Sequence, residues 1–214
     1  MEEAPLHIVG DVHGLVEGYI DGLIVHDVSR SIQVGDFSIL ESDFQRRIDL
    51  LEENGLDPQN HRLFGGNHDF YGSDLAPYEQ HTLGHFGPVP GIEDSFFIRG
   101  AESIDKDRRI FGKTWFEDEQ LGYREGLNAI YTYDQIRPRI VFSHDAPASL
   151  VRELFSPHWA VSNTRKLLQQ LFMIHEPDHW FLGHFHESHH HEWGNTTFHI
   201  LDELEFFPFD LNAS

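Results

Sequence analysis

Short apolar runs that end in glycine alternate with helical periodicity through the N-terminal third of the chain. Leu6 to Gly10 (LHIVG) has the unbroken apolar character of a buried strand. From Leu15 to Ile24 the apolar positions 15, 16, 19, 20, 23 and 24 recur at helical intervals and share one face. Ser31 to Gly35 (SIQVG) predicts a second strand. Asp43 to Asn54 predicts a second helix, stopped by Gly55, and Arg62 to Gly66 (RLFGG) a third strand. This β-α-β-α-β order predicts a parallel sheet covered by helices.

The pattern then loosens. Phe96 to Arg99 and Arg109 to Phe111 read as strands, and Gly126 to Ile136 as a helix with Pro138 just beyond it. Arg139 to Ser143 (RIVFS) is a further buried strand. Asn163 to Phe172 carries Leu167, Leu168, Leu171 and Phe172 on one helical face, and Trp180 to Gly183 (WFLG) is a strand again. Glu187 to Trp193 and Thr196 to Leu201 flank Gly194-Asn195, a two-residue hairpin turn. No repeat, low-complexity linker or composition shift divides the chain. Residues 1–214 are therefore expected to form a single α/β domain that finishes in antiparallel strands.

Composition narrows the function. With 214 residues, 39% of them apolar, the chain can bury a full core. No apolar run approaches the ~18 residues of a membrane span, so no membrane partner is expected. The acidic opening MEEAPLHIVG runs straight into a strand-like segment, so no secretory leader is expected there. The absence of cysteine excludes disulfides and thiolate ligands and fits a cytoplasmic location. Thirty-six acids against fifteen bases give a net charge of −21. Such a field repels nucleic-acid backbone and argues against non-specific nucleic-acid binding. Its plain uses are solubility or tolerance of high salt. A phosphate substrate would need local positive charge, which bound metal cations would provide.

Each predicted buried strand is followed by residues with metal-ligand chemistry. After LHIVG come Asp11 and His13, after SIQVG comes Asp36, and after RLFGG come Asn67, His68 and Asp69. RIVFS leads to His144-Asp145, and WFLG to His184 and His186. Each piece alone has an ordinary reading, as a turn, a helix cap or a hydrogen-bonded loop residue. In an open parallel sheet, however, the carboxyl ends of the strands line one edge where sites are built. Five separate strands thus aim carboxylates, imidazoles and an amide at one place. Neutral imidazole with carboxylate suits manganese, iron, zinc or nickel better than calcium.

In that order, GDVHG, GD, GGNHD, SHD and GHFH resemble the calcineurin-like metallophosphoesterase superfamily, over residues 10 to 186. The resemblance implies a four-layer α/β/β/α sandwich of two mixed sheets flanked by helices. It also implies two divalent transition-metal ions, with Mn²⁺ foremost. Asp11, His13 and His186 would hold the first ion, and Asn67, His144 and His184 the second, with Asp36 bridging. His68 would donate a proton to the leaving oxygen. The implied reaction is hydrolysis of a phosphate mono- or diester by a metal-bridging hydroxide, since two ions ~3.5–4 Å apart can acidify the water between them.

The chain departs from the protein-phosphatase branch, where the second motif continues Gly-Asp-x-x-Asp-Arg-Gly. Here Ile39 and Leu40 replace the Asp that orients the histidine and the Arg that clamps phosphate. Asp69 is then left to orient His68. The stretch RGAESIDKDRRIFGKTWFEDEQL (99–121) resembles a segment of bacterial and phage members of undefined substrate. Within it Arg108 or Arg109 can clamp phosphate alongside Asn67, or simply pair with Asp105, Asp107 or Glu117. Phe37 and Tyr71 follow metal motifs and suit either core packing or stacking on a ring.

Five histidines fall at 184, 186, 189, 190 and 191. His184 and His186, two apart on an extended segment, would face the same side. His189, His190 and His191 alternate faces of the hairpin and are expected to be bystanders. The expected substrate is a small phosphorylated molecule or nucleotide. A catalytically silent, protein-binding scaffold on the same fold is the alternative, and a metal-storing hairpin a third reading. Oligomeric state is left open.

Overall fold

The computed structural model describes residues 5–38, 40–69, 78, 80–156, 158 and 161–211. Its first sheet holds β1 (Leu6–Val9), β2 (Ser31–Gln33), β3 (His61–Leu63) and β10 (Phe206–Phe209), in the order β10-β1-β2-β3. Its second sheet runs β4-β5-β6-β7-β9-β8. These strands are β4 (Phe86–Gly87), β5 (Ser95–Ile98), β6 (Ile140–Ser143), β7 (His179–Leu182), β8 (His189–Trp193) and β9 (Thr196–Ile200). In the first sheet β1, β2 and β3 are parallel and β10 is antiparallel to β1. In the second, β5, β6, β7 and β9 are parallel, with antiparallel β4 and β8 at the edges.

Three apolar clusters account for the layering. α1 (Val16–Val25) buries Val16, Tyr19, Ile20 and Leu23, and α2 (Glu41–Glu53) buries Phe44, Ile48 and Leu51, on the outer face of the first sheet. α3 (Tyr123–Ile136), α4 (Ala148–Leu154) and α5 (Asn163–Ile174) cover the second sheet through Ala129, Tyr133, Val151, Leu168 and Leu171. Between the sheets Leu6, Ile8, Ile32 and Val34 meet Phe97, Phe142 and Phe181. The result is a four-layer α/β/β/α sandwich. Burying each large apolar side chain contributes roughly 1.5–3 kcal/mol.

Several elements differ from the sequence reading. Arg109 to Phe111 is not a strand. Lys106–Arg108 makes a 3-10 turn, and Phe111 forms only an isolated bridge to Trp115. The Asp105–Arg109 ion pair, four residues apart, favours that turn over an extended chain. The short strands β4 and β10 and helix α4 had no strong periodicity to show them. β10 contains Pro208, which is compatible with an edge strand because one side of its backbone needs no ladder bond. Phe37 is fully buried against Tyr19 and Phe44, so it is core and not a stacking platform. Tyr71 lies outside the described residues. No described helix is long and apolar enough to cross a membrane.

Candidate metal centre

The loops after β1, β2 and β3 of one sheet and after β6 and β7 of the other converge on one edge. Backbone bonds tie them together. Val12 and His13 N–H both donate to the Asp36 carbonyl, at 3.0 and 2.9 Å, and Leu204 N–H donates to the Asp11 carbonyl at 2.8 Å. His184 N–H reaches both Asp11 carboxylate oxygens at 3.1 Å, and His68 N–H donates to Asp36 Oδ1 at 2.6 Å. The close approach explains a glycine of the third motif. A Cβ on Gly66 would strike the Asp36 carboxylate.

Two groups of donors result. In the first, His186 Nε2 lies 3.2 Å from Asp11 Oδ2 and 3.0 Å from His13 Nε2. In the second, His144 Nε2 lies 3.2 Å from Asp36 Oδ2, 3.2 Å from His184 Nδ1 and 3.2 Å from Asn67 Oδ1. His144 Nδ1 is 2.9 Å from the Val34 carbonyl, a contact that fixes the ring and leaves Nε2 to the group. Within each group one carboxylate and two imidazoles place ligand atoms within 4.8 Å of one another. That donor set suits a divalent transition-metal ion. Both groups draw on both sheets.

Backbone strain gathers here as well. Eight described non-glycine residues have left-handed φ, and four of them are His13, Asp36, His184 and His186. Such conformations cost about 1–3 kcal/mol each and persist where surrounding structure holds them. They also correct the expectation for the GHFH motif. His184 and His186 do not share one face of an extended segment, because β7 ends at Leu182 and both residues turn left-handed. Each imidazole goes to a different group.

The charges are strongly coupled. Burial alone would raise Asp11 and Asp36, but the surrounding imidazoles outweigh it and hold both carboxyls below their ordinary values. Burial would lower His144, yet Asp36 and Asp11 push it up to about 10. Burial pulls His184 down to about 4, with His144 and Arg165 acting the same way against Asp145 and Asp36. Two buried carboxylates balanced by imidazoles make a place for cations.

A cavity of about 360 Å³ opens over the second group, lined by Asp36, Asn67, His68, Arg109, Arg165 and His184, with Ile104 and Phe185 among its apolar walls. Arg109 lines this cavity and also pairs with Asp105 at 2.7 Å, the ion pair that was the plainer of its two readings. Arg108 is exposed on the turn and does not line the cavity. Asp69 does not take the role expected of it. Its buried carboxylate accepts the backbone N–H groups of Asp36, Ser38 and Gly66, while the His68 ring faces Arg109. Consecutive loop residues point in different directions, and a buried carboxylate requires donors. Burial, then the charge of Asp36, raise Asp69 to about 7.

Three residues at the site escaped sequence reasoning. Arg165 of α5 donates from Nε to both oxygens of Asp145 at 2.8 Å, and its Nη2 lies 3.1 Å from His184 Nε2. Glu203 Oε1 lies 3.2 Å from His186 Nδ1. Ser103 accepts from Asn67 Nδ2 at 3.3 Å. Arg165 and Glu203 stand beside no singled-out motif, and Ser103, though inside the 99–121 segment, has no ligand-like chemistry to mark it. His189, His190 and His191 belong to neither donor group.

The model of the calcineurin-like phosphoesterase family matches residues 4–188. No curated protein matches the chain. Among solved structures, a conserved uncharacterized protein from Streptococcus pneumoniae, described as a predicted phosphoesterase, is 13% identical. That match covers 95% of this chain and 74% of the other at a TM-score of 0.44. The phosphopantetheinyl hydrolase of Mycobacterium tuberculosis is 15% identical, with 94% of this chain and 90% of that one covered at a TM-score of 0.49.

Proposed function

This chain belongs to the calcineurin-like phosphoesterase family of metal-dependent hydrolases, and on that premise we propose that it hydrolyses small phosphorylated molecules using two divalent ions. Asp11, His13 and His186 would hold one ion and Asn67, His144 and His184 the other, with Asp36 shared between them. The observation that carries the reading is the meeting of two carboxylate–imidazole groups beside one cavity. Bound ions of this kind polarise phosphoryl oxygens and lower the pKa of a bound water. Manganese heads the candidates, with iron, zinc and nickel behind it.

The protein's own residues do the rest. Arg109 and Arg165 offer guanidinium groups to one cavity, an arrangement suited to a multiply charged phosphoryl group. This favours the dianion of a phosphomonoester over the monoanion of a diester. His68, in the same wall, hands a proton to the leaving oxygen. The cavity volume suits a small ligand, and the charge of −21 disfavours long polyanions. A silent scaffold would leave the paired donor groups without a use.

The test is metal-dependent turnover of p-nitrophenyl phosphate and its bis ester after chelation and addition of Mn²⁺. The expected result is two ions per chain and faster hydrolysis of the monoester. In Asp36→Asn, activity and ion content should fall while the circular-dichroism spectrum stays the same. Turnover that survives chelation, or near-normal turnover in Asp36→Asn, would overturn the reading.

A further inference from the structure

Asn67 reaches the second donor group through its amide, and an amide has two ends of opposite character. Its oxygen is a ligand, whereas its NH₂ would repel a cation. The two ends are nearly alike in shape, so something must select between them. Ser103 Oγ lies 3.3 Å from Asn67 Nδ2, and Glu119 Oε2 lies 2.7 Å from the same hydroxyl. Glu119 Oε1 also accepts the Ser103 backbone N–H at 2.9 Å. Ser103, Glu119 and Asn67 are all buried.

The direction of this chain follows from chemistry. An ionised carboxylate only accepts, so the Ser103 hydroxyl donates its single proton to Glu119. The hydroxyl oxygen is then left to accept, and its other neighbour must donate. Asn67 therefore presents Nδ2 to Ser103 and Oδ1 to His144 Nε2, 3.2 Å away. Burial holds the Glu119 carboxyl above its ordinary value of 4.5, and the two bonds from Ser103 oppose that rise only in part.

Glu119 is itself fixed by the segment that carries Ser103. Arg99 Nη1 donates to the Asp118 carbonyl at 2.7 Å. Gly100 has φ +97, and a Cβ there would strike the Glu119 carbonyl. Gly100 N–H in turn donates to the Gly65 carbonyl at 2.8 Å, beside the Asn67 loop. The RGAES and FEDE stretches thus form one brace against the third metal motif.

We propose that Glu119 and Ser103 are positioning residues whose one-way hydrogen-bond chain keeps the Asn67 amide oxygen turned toward the second ion. The inference rests on the two-ion reading of the site. Glu119→Gln offers Ser103 a donor and lets the chain run backwards, and Ser103→Ala cuts it.

The test is calorimetric titration of chelated full-length protein with Mn²⁺, alongside thermal unfolding of the ion-free protein. In both variants the first ion should bind as in wild type, and the second should weaken by roughly 10–100-fold, the usual effect of losing an outer partner of a ligand. Ser103→Thr, which keeps the hydroxyl, should restore it. Ion-free Ser103→Ala should remain folded with a modestly lowered midpoint, since one buried hydroxyl with two partners is lost, and this mild variant stands in should Glu119→Gln fail to fold. Wild type that binds two ions while Ser103→Ala binds both equally well overturns the positioning role alone. So does equal weakening of both ions. Wild type that binds a single ion overturns the two-ion reading and this inference with it.

Discussion

Arg109 Nη2 lies 2.5 Å from His68 Nε2 and 3.1 Å from His68 Nδ1, so a guanidinium sits against the imidazole expected to act on the leaving group. Burial, and then Arg109, lower the His68 pKa against the pull of Asp36. His68 belongs to neither donor group. His68→Ala should therefore keep both ions and lose roughly 10²–10⁴-fold in turnover. The loss should be smaller for nitrophenol than for an alkyl alcohol, because a good leaving group needs no proton. Equal losses, measured with ion content held at two, would remove His68 from proton transfer.

The two arginines of the cavity should separate by phenotype. The Arg109 side chain pairs with Asp105, whose own side chain is 46% exposed, and the rest of its fork faces His68. Arg109→Lys keeps the charge but loses the planar fork, so kcat/KM should fall about tenfold, mostly through KM, with the unfolding midpoint unchanged. Arg165 is different because it and Asp145 are both buried. Arg165→Met leaves a carboxylate without its partner and should cost about 3–5 kcal/mol of stability. Denaturant midpoints of the two variants, measured side by side, check the contrast.

The histidine-rich hairpin should prove dispensable for metal. His184 and His186 sit in the two donor groups, whereas His190 Nδ1 faces His199 Nδ1 at 2.9 Å and His189 stacks on His191. His184→Ala and His186→Ala should each lose an ion and activity. Changing His189, His190 and His191 together to Gln should leave two ions and most of the turnover, with a small drop in thermal stability from the lost His190–His199 contact. An ion missing from the triple variant by elemental analysis would place the hairpin in the site.

His199 should make the fold acid-sensitive. Burial, then the neighbouring His190 and His179, lower its pKa from 6.5 to about 3. Between those values the unfolded chain takes up a proton that the folded chain refuses. Stability from this group is therefore complete above about pH 6.5 and is lost as pH falls toward 3. His199→Phe should flatten the dependence of the unfolding midpoint on pH across this window in chelated protein. The difference between the two curves isolates His199 from the donor groups, which titrate in both. Parallel curves would show that the His190–His199–His179 contacts carry no linkage.

The donor groups were legible because each ligand comes directly after an apolar strand, and strands in parallel register deliver their succeeding loops to one edge. Asp11, Asp36, Asn67, His144 and His184 all fall out of that rule. The residues beyond it depended on tertiary approach. Arg165 reads as one more polar residue on the helix α5, and only packing brings it to Asp145. Ser103 and Glu119 are separated by irregular chain, including the Arg109 to Phe111 stretch whose pattern predicts a strand that does not form. β10 was hidden by Pro208, whose cost vanishes only at a sheet edge. Asp69 was misassigned because adjacency in sequence stood in for direction in space.

Asp11 and His13 follow β1 of one sheet and His186 follows β7 of the other, while Asp36 and His144 likewise come from opposite sheets. An ion in either group is therefore a rivet through both inner layers of the sandwich. Metal bound to the folded chain alone adds its binding energy to stability. On the two-ion reading, a cell short of the metal would hold a protein unlatched along one rim, open first at the left-handed loops beside the donor groups. Proteolytic lifetime would then follow metal supply, and the abundance of the enzyme would fall along with its activity.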